Sequence, residues 1–188
     1  MCPFIPDNGV WIIQFNTSLN GVPRSPDYFN YIGDQISSIT SNDDNQDYRT
    51  EYSYSNGNLN SVKQYQIVDQ VSELISSIDY AYGSGNVLEE IKMFAWDPTP
   101  SHTFYTYDNK NNPLRGMNKY LRLVLSSEGF NGLSSNNPLT KSYYRENNPS
   151  NINAQHYQIE YNNNNYPISI KRFSENDFLI SDTIIEYR

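Results

Sequence analysis

The chain has 188 residues and a formal net charge of −8, and it is rich in the aromatic residues tyrosine (17 residues) and phenylalanine (8). An acidic surface repels phosphate backbones and anionic bilayers, and no stripe of lysine and arginine interrupts it, so nucleic acid is excluded as a partner. The length predicts one domain, 1–188. Since tyrosine favours half-buried pleated surfaces and the abundant asparagine and serine favour turns, the composition predicts a mainly all-β protein.

Cys2 is the only cysteine, which excludes an internal disulfide. No basic segment is followed by an apolar one, so no signal peptide is expected in the sequence, and no apolar run is long enough for a transmembrane helix. If Met1 stands where a signal was removed, Cys2 occupies the position at which a bacterial lipoprotein carries its lipid. The alternative is an ordinary thiol near a disordered terminus, which the residues alone favour.

Residues 1–27 are predicted to be irregular apart from one strand. Within the apolar stretch Gly9–Phe15, the residues Trp11, Ile13 and Phe15 alternate with others, as in a strand. Prolines flank this stretch on both sides. Because proline cannot donate a backbone hydrogen bond, these flanks are expected to be irregular or to lie at a sheet edge.

From Tyr28 onward one phrase recurs: an aromatic or aliphatic residue, any residue and a tyrosine, then turn residues, then aliphatic residues. Its clearest copy is Glu51–Tyr65. The copies begin at Phe29-x-Tyr31, Tyr52-x-Tyr54, Tyr80-x-Tyr82, Tyr105-x-Tyr107, Ile159-x-Tyr161 and Ile185-x-Tyr187. Their turns are predicted at Gly33-Asp34, Asn56-Gly57, Gly83–Gly85, Asp108–Asn112 and Asn162–Asn165.

Each copy has the pattern of a β-hairpin. Residues two apart lie on the same face of a strand, so both rings of a phrase share a face. Asn-Gly is a strong hairpin signal because type I′ turns need positive φ at both central residues. A single hairpin is barely stable, so successive hairpins are expected to pair edge to edge. We therefore predict an antiparallel meander of repeated β-hairpins in a strongly twisted or rolled sheet.

The stretch Val68–Ile78 has apolar residues at helical spacing, but the repeat favours strands there. Asn60–Val68 would be an outgoing strand, Glu73–Tyr82 the next incoming one, and Asp69–Ser72 the connection between them.

The segment 116–151 differs from the rest of the chain and is interpreted as an insertion that replaces one copy of the repeat. Its first apolar residues, from Met117 to Leu125, line one helical face. This pattern predicts one short helix near 117–127 that caps an end or a face of the sheet.

The recurring phrase resembles the YD repeats of Rhs-type proteins. Phe104–Gly116 (FYTYDNKNNPLRG), then an apolar insertion, then Asn136–Lys141 (NNPLTK) are similar, in this order, to a group of small Gram-negative envelope lipoproteins. These are domains of unknown function with YD-repeat character, and the resemblance covers about residues 28–188. It implies an exported, lipid-anchored β-sheet domain with Cys2 as its lipid site. It implies no catalytic residue.

No constellation of residues predicts catalysis, a metal site or a cofactor. His102 and His156 are far apart in sequence and lack a second ligand at metal-binding spacing. Asn42–Asp47 has the spacing that begins a calcium loop but lacks its glycine and bidentate acid, so we interpret it as a polar hairpin tip. Glu89 and Glu90 are adjacent and would point to opposite faces of a strand, which argues against a pair of catalytic carboxylates.

The preferred interpretation is a non-enzymatic cell-envelope protein, periplasmic or surface-exposed, with a structural or binding role and an unknown protein or glycan partner. Its only membrane attachment would be a lipid at Cys2. A second interpretation is a carbohydrate- or peptide-binding module that uses tyrosines on one sheet face. The plainer explanation of those tyrosines is core packing and cross-strand contact. A carboxylate-dependent hydrolase is the weakest alternative.

Overall fold

The computed structural model describes residues 14–15, 18–19, 22–23, 26–33, 35–43, 46–115, 122–123 and 132–187. The chain forms two compact units, Met1–Ser77 and Ile78–Arg188. The strand pairs are antiparallel, and from β5 onward each strand lies beside the strand that precedes it in the sequence. The predicted all-β antiparallel meander is therefore confirmed. That the whole chain is one domain stays a prediction.

In the first unit, the strands β1, β4, β5, β6, β7 and β8 are hydrogen-bonded neighbours in this order, while β2 pairs with β3 separately. The strands are β1 (Gln14–Phe15), β2 (Ser18–Leu19), β3 (Val22–Pro23), β4 (Asp27–Ile32), β5 (Gln35–Asp43), β6 (Gln46–Ser55), β7 (Asn58–Val68) and the first part of β8 (Val71–Gly83). Of the strand predicted at Gly9–Phe15, the last two residues form β1, and residues 9–13 lie outside the described residues.

In the second unit, the strands from β8 to β14 are neighbours in sequence order. Besides the end of β8, they are β9 (Asn86–Phe94), β10 (Asp97–Asn111), β11 (Asn136–Arg145), β12 (Asn148–Tyr161), β13 (Pro167–Ser174) and β14 (Leu179–Ile184).

Tight turns with positive φ at both central residues join several of the hairpins. Asn56-Gly57 has φ values of 51° and 80°, Asp69-Gln70 of 49° and 67°, and Ser84-Gly85 of 52° and 78°. These values are those of type I′ turns, whose twist matches that of the flanking strands. The turn predicted at Asn56-Gly57 is thus confirmed. The strands predicted on both sides of the connection after Val68 are also confirmed, with a connection of two residues.

The core of the first unit comes from the aliphatic and aromatic positions of the repeat. Phe29, Ile36 and Leu59 are buried on β4, β5 and β7. Burial is the main cause that raises the pKa of Tyr52 to about 12, and the negative charge of Asp27 adds to it. The tyrosine phrase therefore contributes to packing in this unit, as cross-strand pairs do in sheets generally.

One end of the second unit is held by buried asparagine and serine side chains. The Oδ1 atom of Asn86 accepts hydrogen bonds from the backbone N–H groups of Ser135 (2.9 Å) and Asn136 (3.0 Å). The backbone N–H of Val87 donates to Ser134 Oγ at 3.0 Å, and Asn112 Nδ2 donates to the Ser134 carbonyl at 3.1 Å. Because buried amides are stable only when they are bonded, this network fixes the chain before β11 against the start of β9.

The hairpin tip predicted at Asp108–Asn112 is wrong. Asp108–Asn111 belong to β10, where the register against β11 shifts between Tyr107 and Asn111 and the strand bulges. The carboxylate of Asp108 accepts hydrogen bonds from the backbone N–H groups of Lys110 (3.0 Å) and Asn137 (3.1 Å). Because these hydrogen bonds satisfy the Asp108 carboxylate within a bulged strand, this polar segment is stable without forming a turn.

The segment 116–151 contains a hairpin that the sequence pattern did not predict, since β11 and the start of β12 lie in it. Of the helix predicted near 117–127, only Arg122 and Leu123 are described, and both are helical; the other positions lie outside the described residues.

Candidate ligand-binding face

The register of the second unit sorts its side chains onto two faces, because directly opposite residues of an antiparallel pair share a face. Thr103 lies opposite both Glu90 and Tyr143. The surface formed on this side, which we call the tyrosine face, comprises Glu90, Lys92, Thr103, Tyr105, Tyr107, Lys141, Tyr143, Arg145, Asn153, Gln155, Tyr157 and Arg172. As predicted, the two rings of Tyr105-x-Tyr107 are on the same side.

The tyrosines of this face are half-buried, with part of their polar groups already bonded. Burial raises the pKa of Tyr105, Tyr107 and Tyr157 above the ordinary value of 10.0. The hydroxyl of Tyr107 donates to the Val87 carbonyl at 2.7 Å and accepts from Ser134 Oγ at 2.9 Å. Core packing therefore accounts for part of the tyrosine pattern. A ligand on this side of the sheet would contact the faces of the tyrosine rings.

Glu90 is a carboxylate of the tyrosine face and lies on β9. Burial raises its pKa, while a hydrogen bond from the Tyr105 hydroxyl and the charges of Lys141 and Lys92 act in the opposite direction. The net effect is upward, because partial desolvation of a carboxylate favours its neutral form. Glu90 thus interacts with Tyr105, Lys141 and Lys92 on this face.

At one edge of the tyrosine face, the hairpin of β11 and β12 forms an open groove of about 370 Å³. The groove is lined by Tyr143, Arg145, Asn147, Asn148, Asn151 and Asn153. The guanidinium of Arg145 bonds the Asp97 carboxylate, and this bond, with a backbone bond from Thr99, lowers the pKa of Asp97. The ion pair holds Arg145 in the groove wall, and the amides of the four asparagines supply donors and acceptors.

Three polar atoms of the tyrosine face are buried and have no hydrogen-bond partner among the described residues. They are Arg145 Nε, Gln155 Oε1 and Arg172 Nε. Gln155 and Arg172 are on the neighbouring strands β12 and β13. Unpaired buried polar groups are rare in native proteins, so these three atoms are unusual features of the sheet.

The opposite face of the second unit carries a histidine–carboxylate pair and an aromatic stack. His102 Nδ1 lies 2.8 Å from Glu89 Oε1. The ring of His102 stacks on those of Tyr144 (5.0 Å between centroids) and Phe104 (6.2 Å). Glu89 and Glu90 therefore lie on opposite faces, as predicted. No group of three metal-ligating side chains occurs within the part of the chain that the structure describes.

His156, the second histidine considered in the sequence, also lies on this opposite face. Its ring stacks on Phe173, with 5.1 Å between the centroids, and its Nε2 atom is 3.4 Å from Asp177 Oδ1. It is on β12, whereas His102 is on β10. The two histidines thus make separate contacts with different carboxylates.

Two other positions singled out in the sequence lie away from the tyrosine face. Asn42 pairs with Asp47 across β5 and β6, and Asn42 Nδ2 donates to Asp47 Oδ1 at 2.7 Å, which confirms the predicted polar hairpin tip. Cys2 lies outside the described residues.

The sequence pattern missed three residues of the site, Lys141, Tyr143 and Arg145, because they lie in the supposed insertion. A signal for them existed. Lys141, Tyr143 and Arg145 have long side chains at every second position, which is the spacing of residues on one face of a strand.

No protein-family model matches this chain, and neither does any curated protein. Among solved structures, the chain is similar to a porin-like protein from Bacteroides uniformis ATCC 8492, with a TM-score of 0.52 and 11% sequence identity. The likeness covers 90% of this chain and 80% of the other, and at this identity it extends to the fold alone. Across the described segments, no helix has the length and hydropathy needed to cross a bilayer.

Proposed function

We propose that this chain is a non-enzymatic β-sheet protein of the cell envelope that binds oligosaccharides on the tyrosine face. The observation that carries the proposal is the groove between β11 and β12, where four asparagines surround Tyr143 and Arg145. Amide side chains both donate and accept, which suits sugar hydroxyls, and a tyrosine ring packs against the apolar face of a sugar ring.

The placement of the carboxylates supports a binding role without catalysis. A glycosidase needs two carboxyl groups on either side of the scissile bond. On the tyrosine face, Glu90 bonds the Tyr105 hydroxyl, and Asp97 bonds the Arg145 guanidinium. Glu89 points to the other side of the sheet. The groove therefore has amide and guanidinium groups where a hydrolase would have an acid and a base.

The envelope location is supported by the YD-repeat resemblance and by the fold shared with a porin-like protein. In this proposal, the protein is periplasmic or surface-exposed and a lipid on Cys2 anchors it. Mass spectrometry of the mature protein from its native host tests the anchor, since a chain that carries no lipid on Cys2 contradicts it.

Oligosaccharide binding is tested by calorimetric titration with a panel of neutral and acidic oligosaccharides, using the wild type and the variant Tyr143→Ala. We expect at least one member to bind, and Tyr143→Ala to weaken that binding roughly tenfold, which corresponds to about 1.4 kcal/mol. The matched control is Tyr28→Ala, because Tyr28 is 53% exposed and belongs to the first unit.

Two results would contradict the proposal. In the first, no member of the panel binds. In the second, Tyr28→Ala weakens binding as much as Tyr143→Ala does, which places the ligand elsewhere. Unfolding curves of both variants show whether either substitution acts through stability.

A further inference from the structure

The two faces of the second unit differ in the sign of their charge. The tyrosine face carries Lys92, Lys141, Arg145 and Arg172 with the carboxylates Glu90 and Asp97. The opposite face carries Glu89, Glu160 and Asp182 with Lys171. In a chain with a formal net charge of −8, a face with more cations than anions is a local exception. Such a local field attracts anionic ligands.

Contacts within the face leave most of this positive charge uncompensated. Asp97 pairs with Arg145, so those two charges cancel. Glu90 accepts a hydrogen bond from the Tyr105 hydroxyl and interacts with the charges of Lys141 and Lys92. Within the described part of the chain, Lys92, Lys141 and Arg172 make no salt bridge. Three cationic groups on this face therefore share the single carboxylate of Glu90, which leaves an excess of positive charge for a ligand.

The positions of Lys141 and Arg172 set the size of that ligand. Lys141 is on β11 and Arg172 on β13, with β12 between them. Two strand spacings amount to about 10 Å, so a molecule that contacts both must be longer than one sugar ring. Gln155, on β12 between them, has its Oε1 atom buried without a partner among the described residues.

Aromatic rings lie directly beside these cations. Lys141 Nζ is 6.0 Å from the centroid of the Tyr105 ring, and Lys92 Nζ is 4.6 Å from that of Phe94. A ligand on this face thus meets ring surfaces and ammonium groups together. A sugar that carries a carboxylate presents the matching pair, an apolar ring face and a negative charge.

We propose that the ligand of the tyrosine face is an acidic oligosaccharide whose carboxylates lie against Lys141 and Arg172, with a neighbouring ring in the groove beside Tyr143. This inference rests on the proposed oligosaccharide binding and names its ligand class. The amide-lined groove favours a sugar over an acidic peptide, because asparagines and a tyrosine ring suit sugar hydroxyls and sugar rings.

The test uses matched probes that differ only in charge. Oligogalacturonate, oligomannuronate and oligoglucuronate are each titrated as the free acid and as the full methyl ester, with a glutamate hexapeptide as a non-sugar polyanion. We expect a free acid to bind about tenfold more tightly than its ester, since hydrogen bonds to charged groups are the stronger ones. The preference is expected to shrink as salt is added.

The contribution of the positive charge is tested with Lys141→Met. The matched control is Lys171→Met, because Lys171 lies on β13 and on the opposite face of the sheet. Lys141→Met is expected to reduce the tenfold preference for the acid over the ester, because Arg172 alone then faces the carboxylates, and to leave the affinity for the ester unchanged. Lys171→Met is expected to leave both affinities unchanged.

The outcomes separate the two proposals. If an ester, or any neutral oligosaccharide, binds as tightly as the acids, the acidic ligand class is wrong and oligosaccharide binding stands. If no oligosaccharide binds, both proposals are wrong. If the glutamate hexapeptide binds more tightly than every uronide, the face recognises acidic peptides, and the inference is overturned.

Discussion

At the scale of single residues, Glu90 illustrates how neighbours decide the role of a side chain. Glu89 and Glu90 are adjacent in sequence, yet one pairs with His102 and the other with Tyr105 on opposite faces of β9. Adjacency on a strand was enough to predict the opposite faces. The partners could not be predicted, because they depend on the register of β10, which the sequence does not specify residue by residue.

The raised pKa of Glu90 gives a stability that depends on pH. Since the folded state holds this proton more tightly than the unfolded state, with its ordinary pKa of 4.5, stability falls as pH rises through 4.5 toward the folded pKa. Glu90→Gln lacks this titration. We expect the free energy of unfolding of the wild type minus that of Glu90→Gln to decrease over this range, by at most about 1.4 kcal/mol per pH unit.

Urea unfolding at a series of pH values measures this difference. Tyr105→Phe serves as the companion variant, because it removes the hydrogen bond that lowers the pKa of Glu90, so the decline is expected to extend to higher pH. A difference that stays constant with pH would show that burial does not perturb Glu90.

At the scale of the element, the repeat predicts a hairpin correctly where the residues of the turn alone determine its conformation. Asn56-Gly57 needs only its own two residues to adopt positive φ, so the sequence contains the whole signal. The bulge at Asp108 depends on hydrogen bonds from Asn137, on a strand further along the chain. The same long-range dependence hid β11, because Asn136, Asn137 and Pro138 resemble a loop in isolation. Local sequence patterns therefore predict the meander but not β11, the strand that carries Lys141, Tyr143 and Arg145.

The turn Asp69-Gln70 is strained, since Gln70 has a side chain at φ 67°. Only glycine adopts this conformation without a steric penalty, so Gln70→Gly is expected to stabilise the protein by roughly 0.5–1 kcal/mol. Denaturant unfolding measures the change. Gln66→Gly in the extended strand β7 is the control and is expected to destabilise, because glycine weakens strand interiors. Destabilisation by Gln70→Gly would mean that the glutamine side chain makes a stabilising contact.

At the scale of the whole molecule, tyrosine burial makes the protein sensitive to alkali. Burial raises the pKa of Tyr52 in the first unit and of Tyr82 in the second to about 12, and it raises the pKa of Tyr65, Tyr105, Tyr107, Tyr157, Tyr161 and Tyr187 as well. Because the folded state keeps these protons, stability falls as pH rises above 10, the ordinary value.

The most buried of these tyrosines, such as Tyr52, each contribute a loss of up to about 1.4 kcal/mol per pH unit, and the more exposed ones contribute less because water screens their charge. Typical domains are stable by only about 5–15 kcal/mol. We therefore expect cooperative unfolding between about pH 10 and 12. Tyrosinate absorbance and far-ultraviolet circular dichroism are expected to change together. Tyr52→Phe and Tyr82→Phe combined should move the transition to higher pH. Complete ionisation with an unchanged dichroism spectrum would contradict this expectation.

The order in which the strands pair also has a kinetic consequence. From β5 onward, each strand bonds the strand that was synthesised just before it. Hairpins form in microseconds, far faster than translation adds residues, so each one can assemble as its second strand leaves the ribosome. The bonds from Asn86 and Val87 to Ser134, Ser135 and Asn136 span 47 to 50 residues and must close later. The asparagine network is then a late step of folding, and until it closes, the nascent second unit exposes the edge of β10 on which β11 will pair.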